Sequence, residues 1–126
     1  MKRPLIFGLA LVLLLLSCGG VNVAAGGELN PNTLRRQYIV YNYYADWCSV
    51  CKQLDPELDK LEASSNGKIK VNSVNVDRHP NLAREKGIQG LPTLILSDGV
   101  QDIAKSVGYK SYGELAAWIH KVDGSR

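Results

Sequence analysis

At 126 residues, with 45% apolar residues and a formal charge of +3, the chain has room for one domain with a working core and little more. Lys and Arg are scattered, with no basic run and no basic–aromatic stripe, so a nucleic-acid partner is not expected. Neither an internal repeat nor a low-complexity tract is present.

Lys2 and Arg3 form a short positive start, and Pro4 to Leu16 are all apolar or glycine. This is the make-up of an export signal, and it is short for a bilayer span, which needs about 20 residues. The run closes in Leu15-Leu16-Ser17-Cys18-Gly19. That ending resembles the lipobox of bacterial lipoproteins. The resemblance implies cleavage just before Cys18 and lipidation of its sulfur, with several acyl chains supplying a stable anchor. Ordinary signal cleavage further on, after Ala24, and an uncut anchor are the alternatives. The expected organisation is a signal segment over residues 1–17, a lipidated cysteine and glycine- and alanine-rich tether over residues 18–30, and a domain over residues 31–126.

Within that domain, Asn32 to Gln37 suggest a short helix behind Pro31. Tyr38 to Ala45, "YIVYNYYA", is aromatic and β-branched without alternation, which suits a strand buried on both faces. The chain turns at Asp46-Trp47 and enters a helix near Cys48. Leu54, Leu58 and Leu61 make one apolar stripe of that helix, and Pro56 inside it should kink it. Lys68 to Asp77 form a second strand, and Asn81 to Gly87 a short helix stopped by glycine. "PTLILSDGVQDIAKSVG" carries a strand, an Asp98-Gly99 hairpin signal and a return strand. Ser111 and Glu114 make a capping box for a last helix, with Leu115, Trp118, Ile119 and Val122 on one face. This order predicts an α/β sandwich with a mixed central sheet.

The chemistry centres on "YADWCSVCKQLDP", Tyr44 to Pro56. A c-type haem tether needs His after the second cysteine, and the residue there is Lys52. A structural zinc site needs two more ligands. There is no second CxxC, and the two histidines, His79 and His120, lie far apart, as a loop residue and a helix-surface residue, so no metal is expected. A structural disulfide and a redox pair both remain open. The redox reading has a mechanism. Cys48 lies where a strand gives way to a helix, whose free N–H groups and macrodipole favour a thiolate. Cys51 lies one turn further in, placed to resolve a mixed disulfide.

Several stretches together resemble the thioredoxin family over Tyr38 to Val122. They are "ADWCSVCK", the proline at Pro56, "VNVDRHPNLAREKGIQGLPT" and "VGY" at Val107 to Tyr109. The resemblance implies a thioredoxin-like sandwich and thiol–disulfide oxidoreductase activity. It implies no cofactor beyond the redox disulfide of Cys48, the nucleophile, and Cys51, the resolving thiol. Pro92 would follow a cis peptide bond, with Leu91 offering its backbone to an extended substrate, Trp47 and Tyr44 walling the pair, and Gly108 in a substrate-facing loop. Ser49 and Val50 replace the Gly-Pro of cytosolic thioredoxins. Asn42 stands where thioredoxins carry a buried aspartate, and Ser73 where they often carry a lysine. Asn42 cannot ionise, so it cannot take the Cys51 proton. Asparagine there is similar to the membrane-anchored thioredoxin-like reductases of bacterial envelopes, so Asn42, with Tyr44, Ser49 and Val50, is expected to tune the pair. The partners so implied are protein disulfides or dithiols and a transmembrane thiol electron donor. The protein is expected in the bacterial cell envelope, lipid-anchored with its domain on the extracytoplasmic side, and monomeric. An oxidase or isomerase, or a binding module with idle cysteines, is the alternative.

Overall fold

A computed structural model describes residues 29–126. The expected signal segment, Cys18 and the rest of the tether up to residue 28 lie outside the described residues.

The elements run β1 (Tyr38–Tyr44), α1 (Ser49–Ala63), β2 (Ile69–Asn75), α2 (Pro80–Glu85), β3 (Thr93–Ser97), β4 (Asp102–Val107) and α3 (Tyr112–Gly124). They build a thioredoxin-like α/β fold around a four-stranded sheet in the order β2-β1-β3-β4. β1 pairs with β2 in parallel, and the β1–β3 and β3–β4 pairs are antiparallel. The parallel pair needs a crossover, and α1 supplies it.

β1 is an interior strand, as its apolar run without alternation requires. Tyr38 and Val40 join Leu54, Leu58 and Leu61 of α1 and Leu115 and Ile119 of α3 in one buried cluster. Tyr41 and Tyr43 point the other way and line a cavity with Leu82 and Lys86 of α2 and its C-terminal end. Helices therefore cover both faces, α1 and α3 on one and α2 on the other. Each buried leucine of the α1 stripe contributes about 1.5–3 kcal/mol. α1 is continuous through Pro56. Beyond it Asn66 and Gly67, at φ 53° and 78°, take the left-handed conformation that turns the chain back into β2.

Three features depart from the sequence expectation. Residues 32–37 do not form a helix. A single 3-10 turn covers Pro31–Thr33, and Leu34 is already extended because the chain must straighten into β1. The β3–β4 connection is longer than a two-residue hairpin. Asp98 Oδ1 accepts the N–H groups of both Val100 and Gln101 at 2.9 Å, so the turn is wound around a side chain. The packed body also reaches back beyond residue 31. Leu29 is buried in the main core, and its N–H donates to the Tyr112 hydroxyl at 2.9 Å. The same hydroxyl lies 3.1 Å from Ser64 Oγ, at the C-terminal end of α1.

The capping box at the start of α3 is present, with Ser111 and Glu114 bonded to each other's backbone N–H. Glu57 of α1 adds a second carboxylate there, accepting from Tyr112 N at 2.7 Å and from the Tyr109 hydroxyl at 3.2 Å. Negative charge at a helix N-terminus is favourable. Glu57 thus ties α1 both to α3 and to the loop that precedes it.

Candidate active site

β1 ends at Tyr44, and α1 begins five residues later, at Ser49. Ala45 O accepts from Cys48 N at 3.1 Å, closing the turn that carries Asp46 and Trp47. Cys48 is the N-cap of α1. Its backbone is extended, and its sulfur accepts the Cys51 N–H at 3.2 Å. A helix N-terminus presents donors that its own backbone cannot satisfy, and here one of them points at sulfur. That arrangement favours negative charge on Cys48 once the pair is reduced. Cys48 and Cys51 are joined in a disulfide with their Cα atoms 5.3 Å apart. They pack with Ala45 against Tyr44, Val76 and Leu91.

The two sulfurs are not equivalent. Cys48 is 8% exposed and opens onto a cleft of about 500 Å³, whereas Cys51 is 2% exposed and does not line it. The cleft runs from Trp47 past Val76 to the α2 residues Pro80, Ala83 and Arg84, and back along Ile88 to Leu91. Trp47 is 73% exposed, and its indole N–H donates to Asp77 Oδ2 at 2.9 Å, which holds the ring as one wall. Ser49 and Val50 are exposed between the cysteines.

The Leu91–Pro92 peptide is cis. Pro92 O accepts from Gly108 N at 2.8 Å, fastening the loop after β4 to the loop before β3. Gly108 sits at φ 100°, in the region that side chains strain to enter. Leu91, Pro92 and Gly108 therefore form one connected rim, and Leu91 reaches both the cleft and the cluster around the cysteines.

Asn42 is fully buried on β1, directly opposite Ser73 of β2 in the strand register. Its Nδ2 donates to Ser73 Oγ at 3.3 Å, while its Oδ1 has no hydrogen-bond partner. Two of the positions at which the sequence departs from the thioredoxin pattern, Asn42 and Ser73, are thus bonded neighbours. An amide–hydroxyl pair occupies the place where an acid and a base would face each other. Tyr44 is half-buried and bounds a second cavity with Asp55, Asp59 and Ser73. Burial raises the Asp55 carboxyl above its ordinary value, helped by the nearby Asp59 charge.

Among the described residues, no group of three or more His, Cys, Asp or Glu side chains could hold a metal. His79 caps the start of α2 without a side-chain bond, and His120 is half-buried on α3. Sequence reasoning did not single out the α2 wall of the cleft or the Trp47–Asp77 bond. The α2 wall did leave a trace, because Pro80, Ala83 and Arg84 recur at helical spacing.

Comparison with known proteins agrees with this geometry. The family model described as Thioredoxin matches residues 27–121. Thioredoxin of Rickettsia felis is 32% identical over 83 residues, 66% of this chain and 79% of that protein. Mitochondrial thioredoxin of Mus musculus is 34% identical over 104 residues, 82% of this chain and 63% of that protein. The crystal structure of chloroplastic thioredoxin z superposes with a TM-score of 0.64 at 25% identity, covering 71% of this chain and 81% of that one. The chain belongs to the thioredoxin family. It is a thiol–disulfide oxidoreductase with Cys48 and Cys51 as its pair, and the family acts on protein disulfides through a redox-active disulfide without a cofactor.

Proposed function

We propose that this protein is a protein-disulfide reductase of the bacterial cell envelope, held at the membrane by lipid on Cys18. The observation that carries the direction of attack is the asymmetry of the pair, with Cys48 on the open cleft and Cys51 beneath it. The Cys48 thiolate attacks one sulfur of a substrate disulfide. The substrate S–S bond breaks, and its other sulfur leaves as a thiolate that takes a proton. Cys51 then gives up its proton and attacks the Cys48 sulfur, breaking the bond to the substrate. The substrate gains two electrons and two protons, and the pair is left oxidised. The departing substrate thiolate and water are the proton acceptors for Cys51, since Asn42 cannot ionise.

Leu91 offers its backbone to an extended substrate segment, and Pro92 and Gly108 complete that rim. Trp47 and Tyr44 flank the pair, and Asn42, Ser49 and Val50 tune it. Disulfides persist outside the cytoplasm, so a reductase there must be recharged by a thiol donor whose electrons cross the membrane. The N-terminal pattern up to Cys18 and the amide at Asn42 support the envelope assignment.

The test is the reduction potential of the Cys48–Cys51 couple, equilibrated against glutathione and dithiothreitol buffers. A value at or below about −270 mV is expected for a reductase, and one near −120 mV would make the protein a disulfide donor instead. Mass spectrometry of the mature chain is expected to show Cys18 as its first residue and carrying acyl chains, with no acyl mass in Cys18→Ala. A first residue elsewhere, or Cys18 without acyl chains, would remove the lipid anchor from the proposal.

A further inference from the structure

The cleft beside Cys48 is apolar over most of its wall, through Val76, Pro80, Ala83, Ile88 and Leu91. One of its lining residues carries a formal charge, Arg84 in the last turn of α2. Its Nη1 donates to the neutral Asn81 side chain at 3.1 Å. Among the described residues, the ion pairs join Arg78 to Asp46, Lys86 to Asp102 and Arg126 to Asp98, and none involves Arg84. The guanidinium has five donors in a rigid fork, so most of its hydrogen-bonding capacity and its full charge face outward. An apolar cleft of this size with one charged group on its rim is a shape that selects what enters it.

We propose that Arg84 is a specificity residue that pairs with an aspartate or glutamate of the substrate polypeptide close to the disulfide under attack. The inference rests on the disulfide-exchange reading of Cys48. A substrate sulfur in contact with Cys48 sits at the edge of the same cleft that Arg84 lines. A cleft of about 500 Å³ is on the order of 10 Å across, and three extended residues span about 10 Å, which places the acidic side chain within three positions of the substrate cysteine. The apolar walls take a neighbouring apolar side chain, and the fork of Arg84 takes the carboxylate. A lysine or arginine at the same substrate position meets a like charge instead.

The test uses capped peptides with one cysteine in an alanine and leucine background, oxidised to symmetrical disulfide dimers. Six carry a single Asp one, two or three residues before or after the cysteine, and six carry Lys there. The reduced full-length chain is mixed with each in stoichiometric amount, quenched in acid, and the released peptide thiol is measured. At least one Asp position is expected to react about two- to fivefold faster than the uncharged parent, with the matching Lys peptide slower. The advantage shrinks as salt rises. In Arg84→Gln the Asp, Lys and parent rates converge at that position, and in Arg84→Glu their order reverses. Asp peptides no faster than the parent at all six positions, or an advantage that survives in Arg84→Gln, would overturn the assignment of Arg84 and leave the redox reading standing. Failure of the wild-type chain to reduce any of the peptides would overturn both.

Discussion

The residue that sets the chemistry is Cys48, and what distinguishes it from Cys51 is position. One cysteine caps a helix at the edge of a cleft, and the other sits one turn inside. The consequence is measurable. Cys51→Ser keeps the attacking thiol and removes the resolving one, so incubation with a protein disulfide should accumulate a covalent adduct at Cys48, seen as added mass and lost on reduction. Cys48→Ser should form no such adduct and lose substrate reduction to background. An adduct on Cys48→Ser but not on Cys51→Ser would reverse the assigned roles. The CxxC spacing and the start of a helix were legible in the sequence, and so were both cysteines. The company they keep was less so. Asn42 and Ser73 lie 31 positions apart and meet only because β1 and β2 pair in one particular register. Arg84 gave no signal as a cleft residue, because helical spacing defines a face of α2 but not what that face looks onto.

Between elements, polar side chains decide how the layers are clamped. Asp123, buried on α3, accepts the Tyr38 hydroxyl of β1 and the Arg35 N–H, the latter at 3.2 Å. The Tyr38 phenol is pushed from its ordinary value of 10.0 up to about 12, by burial first and then by the bond to the Asp123 carboxylate. Between those two pH values the folded chain keeps a proton that the unfolded chain releases. Stability therefore falls as pH rises through that window, by about 1.4 kcal/mol for each unit of the shift. Tyr38→Phe should lower stability by about 1–3 kcal/mol at neutral pH, since the buried carboxylate loses a donor. It should also flatten the alkaline decline, as followed by urea unfolding from pH 9 to pH 12. A decline of the same steepness in the variant would place its origin elsewhere. The helical stripe Leu54, Leu58, Leu61 and the capping box were readable because both depend on local spacing. The Tyr38–Asp123 clamp joins residues 85 positions apart and leaves no local pattern.

For the whole molecule, the mixed sheet followed from the succession of strands and helices, but the strand order β2-β1-β3-β4 and the point where the domain begins did not. Glycine and alanine make residues 18–27 look like a tether, and nothing in that composition announces that Leu29 is swallowed by the core. A protein starting at residue 31 should be less stable than one starting at residue 27 by about 2–4 kcal/mol. That is the burial of one leucine plus its backbone bond to Tyr112. Equal urea midpoints for the two would show that Leu29 contributes nothing.

The place of Leu29 also sets the molecule's polarity. Through Tyr112 it sits beside Ser64, at the C-terminal end of α1, while the cysteines sit at the N-terminal end of the same helix. Fifteen residues at 1.5 Å each put roughly 22 Å between those ends. Whatever precedes Leu29, whether a lipid, an affinity tag or a fused partner, enters at the pole opposite Cys48. A biosensor or electrode joined through the N-terminus would therefore be attached at the pole away from the reactive sulfur, and the attachment itself would leave the cleft free to meet incoming disulfides.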